Sequence, residues 1–439
     1  MSFFRPRRYA PALFVAVALL ALAACGDQYP NSTFTHLTDN NRTISALWDR
    51  LMFLGTGVFV FVEALLIFTI IKFRKRPGGP KAKQIHGHAA LEITWTVIPA
   101  LILVLIAVPT VQAIYTTQAK APDGSLKVEV IGHQWWWEFR YPELGVVTAN
   151  ELYLPAGRTV SFQLNTRDVL HSFWTPQLGG KRDLISNRTN WMWYTPDRSL
   201  AENAYNGFCV EYCGTSHANM RFRTFVVSED KFESWAKHQA GIAAGAPVPT
   251  AVAPAAGAPV VTGAAMAGMK MPAAAAVASA APVEEAVGYI FPLDKLPAHV
   301  VPTTPMPTGE STIKFDDALL ASGNAVAGRE LLTNMANLGK APCLTCHVIK
   351  GEMAMVKDDQ AKGPNLTHFG ARHTLGGGLF SSDPATLARW IKNAPAMKPG
   401  SIMPTLGAGE YNAMIKQKLA SGLDDRQIAD IVAYLKSLK

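Results

Sequence analysis

The chain has 439 residues, a net charge of +8 and an apolar content of 49%, so it can hold several domains and membrane spans. The positive charge is concentrated in three arginines before residue 9 and six basic residues within Lys72–Lys83, a segment without acids. Because the rest of the chain is close to neutral, no basic face for nucleic acid is expected. Five cysteines, an odd number, argue against a simple disulfide framework.

Residues 1–24 have the three parts of an export signal: an arginine-rich start, an apolar run and small residues at the end. The sequence L-A-A-C at Leu22–Cys25 resembles a bacterial lipoprotein cleavage box. We therefore expect residues 1–24 to be removed and Cys25 to be lipidated. Ordinary cleavage, with Cys25 as a bystander, is the alternative.

Residues 25–120 contain two apolar runs, at about 47–71 and 91–115, each long enough to cross a bilayer as a helix. The basic loop between them is expected in the cytoplasm, which places both termini on the outer, periplasmic face of a bacterial inner membrane. Glu63 interrupts the first run. An acid in a membrane span is a functional candidate, and a position facing a partner subunit or polar crevice accounts for it equally well.

Three further regions follow. Residues 121–235 contain short alternating runs rich in Val, Phe, Trp and Tyr, which predict an all-β sandwich or barrel. Residues 236–308 are rich in Ala and Pro and predict a flexible linker, in which Met266, Met269 and Met271 are either a weak soft-metal site or an accident of composition. Residues 309–439 have helical patterns, including an amphipathic helix at Asp424–Leu438.

A dense group of metal-binding side chains lies at Phe208–Met220, with the sequence F-C-V-E-Y-C-G-T-S-H-A-N-M. Thioether ligands are used by copper and haem iron, so the group favours copper over zinc. A blue-copper site uses one cysteine, whereas two thiolates four residues apart can bridge two copper ions. The predicted ligands are His171, Cys209, Cys213, His217, Met220 and the backbone carbonyl of Glu211. A structural disulfide, the alternative, accounts for neither the histidines nor the methionine.

A second site is indicated by C-L-T-C-H. Here Cys343 and Cys346 are the expected thioether attachments of a c-type haem, with His347 as an axial iron ligand. The loop K-P-G-S-I-M-P is similar to the methionine loop of class I cytochromes c, and G-P-N-L at residues 363–366 is similar to their loop beneath the haem. We expect Met403 as the sixth ligand, with Met397 as its competitor. A zinc site made from the same trio lacks a convincing fourth ligand.

Several motifs resemble subunit II of the haem-copper cytochrome c oxidases over roughly residues 25–230. They are D-V-L-H-S-F at Asp168–Phe173, the C-x-E-x-C-x-x-x-H-x-x-M run, L-E-I-T-W-T-V-I-P in the second span and G-H-Q-W-W-W-E-F at Gly132–Phe139. The resemblance implies a cupredoxin-like fold for residues 121–235 and a binuclear copper centre, CuA, at the predicted ligands.

The resemblance also implies roles for three further groups. Trp135 is similar to the exposed aromatic through which an electron enters CuA, with a place in the sandwich core as the alternative. The Glu211 side chain is similar to one that binds Mg or Mn at the subunit interface. Glu92 resembles the acid at the mouth of a proton channel, and a helix-end acid is the alternative. The chain departs from many family members at Ser186 and Asn187, where these have Pro-Gly.

With a cytochrome domain behind it, the chain resembles subunit II of a caa-type cytochrome c oxidase. That implies an electron path from an external cytochrome c or a quinol-oxidising complex to the haem, then to CuA, then to subunit I, coupled to proton translocation. The linker would hold the haem near CuA at an effective concentration on the order of millimolar. The alternatives are a stand-alone membrane-anchored carrier or chaperone and a copper-containing nitrogen-oxide reductase.

Overall fold

The computed structural model of the chain describes residue 15 and residues 31–75, 77–79, 86–241, 288–297, 313–353 and 355–439. Apart from Val15, the predicted signal segment with Cys25 lies outside these residues, as do the methionines at 266, 269 and 271. The fold comprises two long helices, a β-sandwich and a helical C-terminal unit. This is the predicted fold class.

Two apolar helices, α1 (Asp39–Lys72) and α2 (Ala89–Gln118), precede the sandwich. Helix α1 begins after Thr38, whose hydroxyl accepts a hydrogen bond from the Asn41 N–H and so satisfies a free donor of the first turn. Both helices are long and apolar enough to cross a membrane, and the most apolar stretch of each is unburied. Their exposed apolar surfaces are therefore available to lipid or to partner helices.

Ten strands form two five-stranded sheets that pack face to face. One sheet has the order β3-β2-β1-β5-β8 and the other has the order β4-β10-β9-β6-β7. The strands are β1 (Leu126–His133), β2 (Trp136–Tyr141), β3 (Val146–Ala149), β4 (Glu151–Pro155), β5 (Val160–Thr166), β6 (His171–Trp174), β7 (Arg182–Leu184), β8 (Asn190–Tyr194), β9 (Asn203–Cys209) and β10 (Arg221–Val227).

Aromatic rings fill the space between the sheets. Trp137, Phe139, Phe173 and Phe222 are fully buried and contact one another at centroid distances from 4.9 to 6.3 Å. Large buried rings account for much of the apolar stabilisation of a core. This core fixes the ends of β6 and β9, where His171 and Cys209 lie.

The sandwich is extended by a helix, α3 (Glu229–Ala240), and by residues 288–297. Phe291 is buried in the sandwich core, with its ring 4.9 Å from that of Phe225, and the Tyr289 hydroxyl donates to Glu202. The structure therefore differs from the expectation of an unbroken linker over 236–308. An isolated Y-I-F segment carries too little pattern for the sequence to reveal that it packs on a distant core.

The C-terminal unit contains helices α4 (Ala325–Thr333), α5 (Pro384–Met397) and α6 (Asp425–Ser437) and the short strand pairs β11 (Thr374–Leu375) with β12 (Phe380–Ser381) and β13 (Tyr411–Asn412) with β14 (Gln417–Lys418). Helices α4 and α6 cross closely: a side chain on Gly328 would collide with the Asp430 carbonyl oxygen. A reciprocal cap between Asp424 and Gln427 begins α6, whose apolar face is buried as its periodicity predicts.

Candidate metal and haem sites

Soft and borderline ligand atoms converge where β6, β9 and the following loop meet. The Cys209 Sγ lies 3.7 Å from the His171 Nδ1, 3.7 Å from the Cys213 Sγ and 3.3 Å from the Glu211 carbonyl oxygen. The Cys213 Sγ lies 3.6 Å from the His217 Nδ1 and 3.9 Å from the Met220 Sδ. The structure thus brings together all six predicted copper ligands. Two thiols, two imidazoles, a thioether and a carbonyl are a donor set that fits copper.

The protonation of the two thiols is coupled. The hydrogen bond between Cys209 and Cys213 lowers the pKa of Cys209, and the same interaction together with burial raises the pKa of Cys213. One thiolate is therefore stable beside one thiol. A metal that binds both sulfurs must displace the second proton.

Asp168 orients His171 from outside the cluster. Its Oδ1 lies 2.8 Å from the His171 Nε2, and its Oδ2 accepts a hydrogen bond of 2.7 Å from the Gln134 N–H. Burial raises the pKa of Asp168, but these hydrogen bonds outweigh burial and hold it below its usual value. Since a carboxylate only accepts, the Nε2 of His171 carries a proton, so the Nδ1 that faces Cys209 is the nitrogen left to bind a metal.

Trp135 connects the copper loop to the surface of the sandwich. Its indole Nε1 donates to the Cys213 carbonyl at 2.9 Å, and Gln134 donates to the same oxygen at 2.8 Å. Trp135 is half-buried, whereas Trp137 is fully buried in the core. The structure therefore places Trp135 at the edge of the sandwich, in hydrogen-bond contact with the backbone of a predicted copper ligand.

The two predicted acids outside this cluster lie in different settings. Glu211 has an exposed side chain, so its carboxylate is available to a group outside the chain while its carbonyl faces Cys209. Glu92 lies in the first turn of α2, where its carboxylate accepts a hydrogen bond of 3.2 Å from the His88 N–H. Such a hydrogen bond is expected of an acid at a helix end, which is the alternative to the proton-channel role of Glu92. Glu63 lies on α1, partly exposed.

The predicted haem-binding residues line one cavity of about 230 Å³. Cys343, Cys346, His347 and Met403 all contribute to its wall, and both cysteines are free thiols. Met397 instead is fully buried in the core of the C-terminal unit and does not line the cavity. Two thiols for covalent attachment and an imidazole and a thioether for iron fit a c-type haem.

The G-P-N-L loop fixes the orientation of His347. The Nδ1 of His347 donates to the Pro364 carbonyl at 2.8 Å, because a carbonyl only accepts. Its Nε2 is therefore the nitrogen with a free lone pair for iron. A side chain on Gly363 would collide with the His347 ring, so only glycine allows the loop to pass this close.

The cavity is closed on one side by the sandwich. Gln134, Trp135, Trp136 and Asn150 line it together with the residues of the C-terminal unit. Trp135 thus touches both the copper loop, through Cys213, and the haem cavity. No sequence pattern predicts this juxtaposition, because it depends on how the two units pack.

Three residues near the sites make contacts that were not predicted from the sequence. Asp168 belongs to the D-V-L-H-S-F motif, and its spacing of three from His171 is the signal that could have indicated a supporting role. Glu151 and Lys398 are buried ionisable residues at the contact between the sandwich and the C-terminal unit, and each is 3% exposed.

At Ser186 and Asn187, where many family members have Pro-Gly, the chain forms a tight turn with Asn187 at φ +61°.

Comparisons with known proteins cover most of the chain. Three family models match the chain. The model described as cytochrome C oxidase subunit II, transmembrane domain, matches residues 37–113, and the model described as cytochrome C oxidase subunit II, periplasmic domain, matches residues 144–229. The model described as cytochrome c matches residues 325–439. A cytochrome c oxidase subunit 2 of Alkalihalophilus pseudofirmus is 30% identical over 87% of this chain and 83% of the relative. A cytochrome c oxidase subunit 2 of Bacillus sp. (strain PS3) is 27% identical over 84% and 80%.

Proposed function

Because this chain belongs to the cytochrome c oxidase subunit II family, we propose that it is the electron-input subunit of a proton-translocating caa-type oxidase. It carries a cytochrome c domain, and its family membership makes it part of a haem-copper oxidase with a membrane anchor and a periplasmic domain. In the proposal, electrons from an external cytochrome c or a quinol–cytochrome c reductase pass through haem c and binuclear CuA to subunit I, which reduces oxygen.

The observation that carries the proposal is the position of Trp135. Its ring donates to the Cys213 carbonyl at 2.9 Å and its side chain also lines the cavity of Cys343, Cys346 and His347. A single residue therefore bridges the two proposed cofactor sites. This position supports the role of Trp135 as the residue through which an electron enters the copper site.

The proposed copper centre would be held by His171, Cys209, Cys213, His217, Met220 and the Glu211 carbonyl. When bound, two copper ions would supply a one-electron redox centre at these residues. The chain's own residues hold the ligands before metal binds: Asp168 fixes His171, and Gln134 and Trp135 fix the Cys213 backbone. Preorganised ligands reduce the geometric change that accompanies electron transfer.

The proposed haem would be attached through Cys343 and Cys346 and ligated by His347 and Met403. Histidine–methionine ligation raises the haem potential, which suits a carrier near the end of a respiratory chain. The Pro364 carbonyl holds His347 in one tautomer, which leaves its Nε2 for the proposed iron.

Two acids are assigned to the contact with subunit I. The exposed carboxylate of Glu211 is proposed as a ligand of a shared Mg or Mn ion, and Glu92 as the acid at the mouth of a proton channel. An exposed carboxylate two residues from a copper-ligating cysteine supports the first role. For Glu92 the support is the family resemblance, and its capping contact with His88 is compatible with both roles.

The test is metal and haem analysis of the purified membrane complex combined with electron paramagnetic resonance. We expect two copper ions per chain beyond those of subunit I, one covalent haem c, and a resonance pattern of one electron shared by two copper nuclei. A chain that copurifies with no large polytopic haem protein would instead be a stand-alone carrier. A mononuclear copper resonance would refute the binuclear assignment.

A further inference from the structure

The sandwich and the cytochrome unit are joined by two buried charged groups, one from each side. Glu151 lies at the start of β4 and is 3% exposed. Its Oε1 accepts hydrogen bonds of 2.7 Å from the His373 N–H, 2.9 Å from the Thr374 N–H and 3.2 Å from the Thr374 hydroxyl. The carboxylate of the sandwich therefore binds the backbone of the cytochrome unit, and charge-assisted bonds of this kind are the strong ones.

The environment of Glu151 compensates its buried charge. Arg223 of the sandwich and Arg372 and Lys436 of the cytochrome unit all interact favourably with the carboxylate. Burial lowers the pKa of Arg372 to about 10, and the charge of Glu151 acts against that lowering. Removing Glu151 would leave these cations without that compensation at a closed contact.

Lys398 forms the reciprocal contact from the cytochrome unit. It is 3% exposed, and its Nζ donates to the Trp135 carbonyl at 2.5 Å and to the Gly376 carbonyl at 2.8 Å. Its Nζ thus ties the backbone of the proposed electron-accepting tryptophan to the loop beside the haem cavity, and burial lowers the pKa of Lys398 to about 7. The neighbouring methionine loop also touches Trp135: a side chain on Gly400 would meet its ring at 2.7 Å.

The glycine loop of the cytochrome unit makes this approach possible. Gly377 has φ +82°, its carbonyl accepts a hydrogen bond of 2.8 Å from the Arg221 N–H, and a side chain there would meet the Trp135 carbonyl oxygen at 2.8 Å. Gly409 has a similar φ of +75° but no atom within 4 Å of a side chain placed on it. The two glycines form a matched pair, one at the contact and one away from it.

We propose that Glu151 and Lys398 are positioning residues that lock the cytochrome unit in one pose, with its haem cavity closed against Trp135. The inference rests on the proposed electron-transfer function and adds to it how the donor is positioned. Each side chain binds backbone atoms of the opposite unit, so a shifted pose leaves a buried polar group without its partners. Since both groups are shielded from solvent, the lock resists salt, unlike a contact between exposed lysines and carboxylates.

The test measures the rate of electron transfer from haem c to CuA in the whole purified oxidase after rapid photoreduction of the haem. In the wild type we expect the same rate at low salt and at about 0.5 M salt. Glu151→Ala and Lys398→Met should each slow transfer by about tenfold or more, because losing one partner of a buried charged contact favours the undocked unit. The haem and copper spectra of Glu151→Ala should stay unchanged, since Glu151 does not line the haem cavity and is not a predicted ligand.

Two controls separate docking from general damage. Glu151→Gln keeps a side-chain oxygen for the two backbone N–H groups and should recover part of the rate. Gly377→Ala should slow transfer, whereas Gly409→Ala should not, although both place a side chain at positive φ. Equal slowing by both glycine variants, or wild-type rates in Glu151→Ala, Lys398→Met and Gly377→Ala with intact spectra, would overturn the lock.

A measurement on the wild type covers the case in which a variant does not fold. The amides of His373 and Thr374 should exchange slowly with solvent in the intact oxidase, and fast exchange at both would overturn the contact. The proposed function fails separately: a wild-type oxidase with no haem-to-CuA transfer would refute it. If the wild type transfers electrons and the variants do so equally fast, only the lock is refuted.

Discussion

Replacing Asp168 with alanine should weaken copper binding at the proposed CuA site by about 10- to 100-fold. Asp168 holds His171 through a 2.8 Å contact with Nε2, and the side chain of His171 is fully buried. Removing the carboxylate leaves a buried N–H without its acceptor, which costs about 1–3 kcal/mol. Since 1.4 kcal/mol corresponds to a factor of ten, the cost agrees with the expected loss of affinity.

The assay is competition between the oxidase and a copper chelator of known affinity, followed by the near-infrared band of the copper centre. The c-haem absorbance of the same sample reports whether the chain is folded. Asp168→Asn should lie between wild type and Asp168→Ala, because it keeps one oxygen but presents an N–H group to the site. Asp123→Ala is the matched control, since the Asp123 side chain is 96% exposed and pairs only with Lys120 among the described contacts. Copper affinity in Asp168→Ala within threefold of wild type would refute the reasoning.

Three further changes test other parts of the chain. Cys213→Ser should abolish the CuA signal and leave the haem spectrum intact, and an unchanged near-infrared band would contradict a binuclear site. Met403→Ala should make the haem high-spin or recruit another ligand, and a retained methionine-ligated spectrum would point to Met397. Contrary to the linker role expected from the sequence, deleting residues 250–275 should leave the haem-to-CuA rate unchanged. The described residues on either side, α3 and residues 288–297, both pack on the sandwich: Gly288 contacts His238 of α3, and Phe291 is buried in the sandwich core. A stopped-flow rate that falls on deletion would show that this stretch controls the encounter.

The local sequence was sufficient to predict features whose residues lie close together along the chain. Five of the six copper ligands lie within twelve residues, and the haem attachment cysteines and His347 within five, so their spacing alone predicts their chemistry. The apolar runs of the two long helices and the alternating runs of the sandwich are equally local, because the spacing of apolar residues along a segment shows which face of that segment is shielded from water. Helix α6 illustrates this, since its cap and its apolar face both follow from its own residues.

Contacts between segments that are far apart along the chain could not be predicted from the sequence. The burial of Phe291 in the sandwich core and the preference of the cavity for Met403 over Met397 depend on packing across the whole fold. The same holds for Glu151 and Lys398, which look like ordinary surface charges in the sequence.

The sequence by itself determined which cofactors the chain can hold and in what order its regions follow. Only the tertiary structure decided that the haem cavity closes on Trp135 and that two buried charges fix this contact. The physical reason is that a ligand motif depends on covalent spacing, whereas a buried charge is stable only where a distant backbone supplies its partners.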